Sequence, residues 1–409
     1  MVLRIDFDYQ ASAFFYTTDL LLLEMANART IKRIVPLLVI CGLAYINYAA
    51  CYIVGHNELY RHHLRGAAFV LWILLGILEA SLFLYWGLIL LRGPAKCPQI
   101  QPFDIHNTGD PLLLPLPLIF VCDKQGYPFW CGTCQSIKPS RLFHLNDTRY
   151  CCLRFDHYCL WIGSSIGRDN QVPFIKFVCF FDAFFILILA CVASTTRLAF
   201  KRSKSNLPHY IILYVLCLFW ILMTLILLVM QLVYITKNWT TIDEITIRQA
   251  LKYSRWERRM RKRNYKTNFF SPAPPRTELG IRYVNVAHEG RRVVVSYRTK
   301  DLAFSQGFQI NLINLMLNGN RNDNLVGRED NASEFMKALL LLLVPYVDIF
   351  MCKPRMTLPT YDDCSDEFSP FFIDNIKSKI KEQKFELPLY DQTTKAPEEP
   401  TIEKPSTQA

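Results

Sequence analysis

Charge is missing where a soluble chain would need it. Residues 34–53 and 210–235 contain no Asp, Glu, Lys or Arg. Two further apolar runs, 67–91 and 177–196, carry one acid each, Glu79 and Asp182. A helix without periodic polar residues offers no face to water, which excludes four buried helices of a soluble protein. Each run is long enough for a bilayer, which takes about 20 apolar residues as a helix. The opening "MVLRIDFDYQ" lacks an early apolar core, so no cleavable signal peptide is expected.

Acid is scarcer than base overall: 35 Asp and Glu against 46 Lys and Arg, a net charge of +11. The base is placed unevenly. Arg29, Lys32 and Arg33 precede the first run, and Lys237, Arg248, Lys252 and Arg255 follow the fourth. Basic flanks favour the cytosol, and an even number of spans puts both termini on one side. Arg197, Lys201, Arg202 and Lys204 oppose this orientation from the short loop between runs three and four, and the longer basic tail outweighs them. The expected plan is an α-helical integral membrane protein with four transmembrane helices and a small β-hairpin-rich, zinc-binding cytosolic domain between the second and third. Its parts are a cytosolic segment 1–33, spans 34–91, a cytosolic cysteine-rich region 92–176, spans 177–235, a cytosolic region 236–356, and a disordered tail 357–409.

Six of the 14 cysteines lie between Cys122 and Cys159. In a reducing compartment this density reads as metal binding or catalysis rather than disulfides. Cys131 and Cys134 have the CxxC spacing that closes a turn around tetrahedral zinc, and His144 and Cys151 complete a Cys3His set. The preceding stretch "LIFVCDKQGYPFWC" reads as a β-hairpin turning at residues 124–126. Free buried cysteines are the bland alternative, and the complete set favours one structural zinc.

Downstream stands "CCLRFDHYCLW", residues 151–161. Asp156, His157 and Cys159 are surplus to that metal. A cysteine nucleophile needs a base to form thiolate, and the base needs an orienting group. Alternate residues of an extended segment share one side, which places His157 beside Cys159. By itself the tetrapeptide also admits a second metal site or a core cluster.

The stretch 130–174 resembles the cysteine-rich domain of the DHHC protein S-acyltransferases (palmitoyltransferases). Cys131, Cys134, Lys138, Pro139, Arg141, His144, Cys151, Asp156, His157, Cys159, Trp161, Gly167 and Asn170 fall in the family's register. Tyr158 makes it similar to the fungal DHYC variants. The resemblance implies palmitoyl-CoA as acyl donor, an acyl intermediate on Cys159 activated by His157 and Asp156, and transfer to cysteines of cytosolic or membrane-associated substrate proteins. It places Lys138 and Arg141 near CoA, whose phosphates pair with basic side chains. It also implies a second zinc at positions occupied here by Leu145, Thr148, Tyr158 and Ser165, none an ordinary zinc ligand, so one zinc is expected.

After the last run, Thr240, Thr241 and Asp243 resemble the family's Thr-Thr-x-Glu motif, which braces the catalytic loop. Phe304, Gly307 and Asn311 weakly resemble its C-terminal motif, with Ser305 in place of an aspartate. Residues 252–266 hold eight basic residues and one acid, expected to contact anionic membrane lipids. Membrane tethering argues against nucleic acid. Residues 283–298 read as a hairpin around 289–290, and 338–350 as an interfacial or packed helix, broken by Pro345 and Asp348. The resident membrane is expected to be an endomembrane or the plasma membrane.

Overall fold

The computed structural model describes residues 25–103, 117–202, 204–267, 281–289, 291–317, 331–347, 349, 368–382, 384 and 387–391. They divide into two compact units, one of Met1–Gly93 with His157–Gln231, the other of Pro94–Asp156 with Leu232–Ala409.

The first unit holds the membrane helices. Helix α1 (Met25–Tyr48) runs on as a π-helix (Ala49–Tyr60), α2 spans Arg65–Arg92, α3 Gln171–Arg202, and α4 Leu207–Lys237. Four stretches are long and apolar enough to cross a bilayer: Thr30–Tyr60, Arg65–Arg92, Gln171–Lys201 and Leu207–Lys237. The chain is therefore a multi-pass membrane protein. Leu37, Leu38, Ile73, Val215 and Leu222 point outward, as apolar side chains do where the solvent is hydrocarbon.

Three acids within the spans each accept a hydrogen bond. Asn47 donates to Glu79 at 2.8 Å, Asn206 to Glu58 at 2.9 Å, and the Thr224 hydroxyl to Asp182. Pairing is what makes an intramembrane acid affordable. Gly55 lets the π-helix approach α2, because a Cβ there would sit 2.5 Å from Trp72 Nε1. Between α2 and α3 lie β1 (Ile119–Cys122), β2 (Phe129–Cys131), β3 (Ser136–Lys138), β4 (Phe143–Leu145), β5 (Tyr150–Cys152), β6 (His157–Cys159) and β7 (Ser164–Ile166). Of these only the β6–β7 hairpin belongs to the first unit.

In the second unit β2 pairs with β3 and β4 with β5 as short hairpins. Beyond α4 come α5 (Thr241–Thr267), β8 (Ile281–His288), β9 (Arg291–Arg298), α6 (Phe308–Leu317), α7 (Asn331–Leu343), α8 (Pro370–Lys381) and β10 (Leu387–Asp391). Strands β1, β8, β9 and β10 form one antiparallel sheet in that order. One core gathers Ile100, Phe103, Phe120, Ile137 and Leu153 with Val294. A second gathers Val121, Val284, Val293 and Val295 with Phe304, Phe372 and Ile376.

Two expectations are corrected. The turn at 124–126 forms, with Asp123 N–H donating to Tyr127 O at 2.9 Å. Its arms do not pair beyond the single bridge Cys122–Pro128. Strand β1 instead pairs with β8, Phe120 opposite Asn285, and there Phe120 and Val121 each join a buried apolar cluster. The tail is also not wholly irregular. Ser369 accepts from Phe372 N–H at 3.0 Å, Pro370 opens α8, and Phe372, Ile376 and Ile380 pack as one stripe against the sheet's core. A cap, a Pro in the first turn and a period of four suffice for a helix in a polar segment. Residues 357–367 and 392–409 lie outside the described residues.

The hairpin at 283–298 forms, with His288 opposite Arg291. Helix α7 covers the first part of 338–350, and Leu340 and Leu343 are exposed on it.

Candidate active site and metal centre

The second unit brings Cys131, Cys134, His144 and Cys151 together. Cys131 ends β2, Cys134 follows in the turn, and Cys134 N–H points at Cys131 Sγ at 3.4 Å. His144 and Cys151 are direct partners across β4 and β5, so their side chains emerge side by side. The four ligand atoms lie within 4.8 Å of one another. His144 Nδ1 is 3.6, 3.3 and 3.8 Å from the sulfurs of Cys131, Cys134 and Cys151. Zinc–sulfur and zinc–nitrogen bonds of about 2.3 and 2.05 Å at the tetrahedral angle separate such atoms by about 3.6 Å. The set thus fits a tetrahedral Cys3His metal centre. Cys97, Cys122 and Cys152 are buried but belong to no such cluster among the described residues.

Asp156 is the last residue of a second-unit segment and is 1% exposed. Thr241 grips both its oxygens, the backbone N–H reaching Oδ1 at 2.6 Å and the hydroxyl Oδ2 at 2.9 Å. Thr241 is presented by a helix cap: Asp243 Oδ2 accepts from Thr240 N–H at 3.1 Å, and the Thr240 hydroxyl accepts from Asp243 N–H at 3.2 Å. This is a capping box with Asp in place of Glu.

Asp243 is also an ionic hub. Arg141 Nε lies 3.2 Å from its Oδ2 and Arg282 Nη2 3.3 Å from its Oδ1. Burial alone would raise the Asp243 carboxyl, but the two guanidiniums outweigh it and hold it below its ordinary value. Arg141 donates to Asn238 O at 2.6 Å and lies 4.2 Å over the Phe304 ring. Asn238 donates in turn to Phe304 O at 2.7 Å. Asn311 donates to Thr236 O at 2.9 Å and accepts from Gln306 N–H at 2.9 Å. The weakly matching C-terminal stretch is therefore fastened to the end of α4. Lys138 ends β3 and is buried.

His157 and Cys159 stand in the first unit, on the same strand. In β6–β7 His157 pairs with Ile166, Tyr158 with Ser165 and Cys159 with Ser164. Cys159 is buried and His157 half-buried, its ring 5.3 Å edge-on to Phe174. A tight turn follows, with Gly163 N–H donating to Cys159 O at 2.9 Å and Trp86 Nε1 to Ile162 O at 3.2 Å. Asn170 holds the exit, donating to Ser165 O at 2.9 Å and accepting from Gly167 N–H at 2.9 Å.

Sequence reasoning did not foresee Asn238 as a bridge, or Lys32, whose Nζ lies 4.5 Å over the Tyr158 ring. For Asn238 the signal was its place just before the Thr-Thr motif. For Lys32 no local signal exists.

The family model for DHHC palmitoyltransferase matches residues 124–248. Palmitoyltransferase PFA5 of Candida albicans is 37% identical over 403 residues, 94% of this chain and 98% of its own length. Palmitoyltransferase PFA5 of Kluyveromyces lactis is 31% identical over 55% of this chain and 67% of its own. The Saccharomyces cerevisiae protein of the same name is 26% identical over 54% of this chain and 65% of its own. With the likeness to the Candida protein spanning nearly the whole of both chains, this chain belongs to the DHHC palmitoyltransferase family.

Proposed function

We propose that the chain transfers palmitate, or a similar long acyl group, from acyl-CoA to cysteine thiols of substrate proteins through an acyl-Cys159 intermediate. The observation that carries this reading is Cys159 itself: a buried cysteine two residues after His157 on one strand, inside the region that matches the family. His157 takes the Cys159 proton. The thiolate adds to the thioester carbonyl, the new C–S bond replaces the old one, and the CoA thiolate leaves with the proton from His157. A substrate thiol then repeats the exchange in reverse sense. Asp156, directly before His157 in the chain, orients the imidazole. Thioester exchange is nearly balanced, so thiolate formation and positioning carry the rate.

Lys138 and Arg141 supply positive charge to the CoA phosphates in this reading, Arg141 with part of its fork already given to Asp243 and Asn238. The Cys3His set holds one structural zinc, which when bound ties the β2–β3 turn to the β4–β5 hairpin. The aromatic run Trp161, Trp220, Phe181 and Phe185, with successive centroids 5.2, 5.4 and 4.8 Å apart, gives an acyl chain an apolar lining among the spans. The active site and both termini face the cytosol, on an endomembrane or the plasma membrane, where the enzyme meets membrane lipids, acyl-CoA and its protein substrates.

The test is purified protein incubated with clickable palmitoyl-CoA. Label released by hydroxylamine is expected, absent in Cys159→Ala and about a hundredfold slower in His157→Ala. Full labelling of Cys159→Ala would overturn the assignment, and no labelling of the natural sequence would favour a catalytically silent membrane scaffold.

A further inference from the structure

The strand bearing His157 and Cys159 belongs to a hairpin of three residue pairs. A hairpin that short is at best marginal unless something else holds it. Among the described residues the single cluster able to hold a metal lies elsewhere, at Cys131, Cys134, His144 and Cys151. Other contacts must hold this hairpin.

Two of them come from the start of the first membrane helix. Lys32 and Pro36 are four residues apart on α1 and so share one face. Lys32 Nζ lies 4.5 Å from the centroid of the Tyr158 ring, and Tyr158 separates His157 from Cys159 in the chain. The attraction of an ammonium to a ring face grows with desolvation, and both side chains are half-buried. Pro36 closes on the far end of the same turn. Gly163 adopts φ +80°, and a Cβ there would lie 2.9 Å from Pro36 Cγ and 3.8 Å from Lys32 O. Only glycine meets both demands. One face of α1 thus touches the turn at each end, with the nucleophile between.

We propose that Lys32 and Pro36 form a latch on the Tyr158–Gly163 turn, and that Lys32 is a positioning residue which, through the Tyr158 ring, holds the strand carrying His157 and Cys159 in its reactive setting. The function rests on the acyl-Cys159 reading. The latch as a physical contact does not.

The experiment uses the full chain in detergent micelles, with single-turnover acylation by palmitoyl-CoA and hydrogen exchange of amides 157–166 read side by side. Lys32→Met slows maximal acylation about 3- to 30-fold, leaves half-saturation by acyl-CoA unchanged, and speeds exchange in 157–166. Lys32→Arg, which keeps the cation, restores both. Lys32→Met combined with Tyr158→Leu is no worse than Tyr158→Leu alone, since the two remove one contact. Bound metal per chain stays constant throughout, which separates a loosened hairpin from an unfolded protein. Unchanged exchange in Lys32→Met, equal losses in Lys32→Met and Lys32→Arg, or additive losses with Tyr158→Leu each overturn the latch. Cys159→Ala run alongside reports separately on the nucleophile: if it labels fully, the acyl-Cys159 reading fails while the exchange result still decides the contact.

Discussion

Thr241 holds both carboxylate oxygens of Asp156, one through its backbone N–H at 2.6 Å and one through its hydroxyl at 2.9 Å, across 85 residues of chain. An acid gripped at both oxygens is held in one orientation, as its proposed role beside the His157 imidazole requires. The threonine is the first residue of α5, so the helix start sets where Asp156 points.

Replacing the hydroxyl therefore tests the grip. Thr241→Val keeps the backbone donor and the side-chain volume and loses the bond to Oδ2. A hydrogen bond to a charged group is worth roughly 1.5–3 kcal/mol, so autoacylation is expected to fall about tenfold or more, with Thr241→Ser close to the natural rate. Single-turnover labelling checks it, and a Thr241→Val rate equal to the natural one removes the hydroxyl from the account.

Asp243 joins Arg141 and Arg282 in a buried cluster. Asp243→Asn leaves two guanidiniums without their counter-charge, and breaking a buried pair costs about 3–5 kcal/mol. Thermal unfolding with acylation activity as a second readout is expected to show this loss. The pH dependence has a definite sign. The folded carboxyl lies below its ordinary value of 3.8, so its stabilisation is fully present above that value and fades as pH falls through the lower, folded one. The natural sequence should lose its margin over Asp243→Asn only under strongly acid conditions. A margin that vanishes already near neutral pH contradicts the assignment.

The Cys3His set can hold one metal ion, and about one zinc per chain is expected. Metal analysis of the purified protein should return that ratio, and Cys131→Ser should abolish it. A ratio near two would require a second ligand set that Leu145, Thr148, Tyr158 and Ser165 do not supply.

Both termini are expected on the cytosolic side. A glycosylation reporter fused after Ala409 should stay unmodified in microsomes, while one inserted between α3 and α4 should be modified. Modification at the C-terminal fusion would require either an odd number of crossings or the inverted orientation, and the reporter between α3 and α4 separates the two.

What was legible in the sequence was local. Four spans follow from run length, because a bilayer sets the number of consecutive apolar residues. The metal set follows from CxxC spacing with His144 and Cys151, which a short turn and one hairpin register bring together. The order of Cys159 after His157 needs only an extended strand. Helix α8 differs: Ser369, Pro370 and the period of Phe372, Ile376 and Ile380 are local helix signals, but they sit in a tail whose polar composition reads as disorder.

Tertiary structure decided what depends on residues far apart in the chain. Strand β1 could have closed on β2 across a good turn, and it pairs with β8, where Val121 joins the buried cluster of Val284, Val293 and Val295. Arg141 reads in sequence as a phosphate-facing cation, and the fold adds a buried partner for it in Asp243. Lys32 reads as a membrane flank and lies over Tyr158. The physical reason is common to all three. Burial, spacing and span length are properties of a few neighbouring residues, whereas the partner of a charge or of a strand edge is set by which distant segment recovers the most free energy once the loop between them has closed.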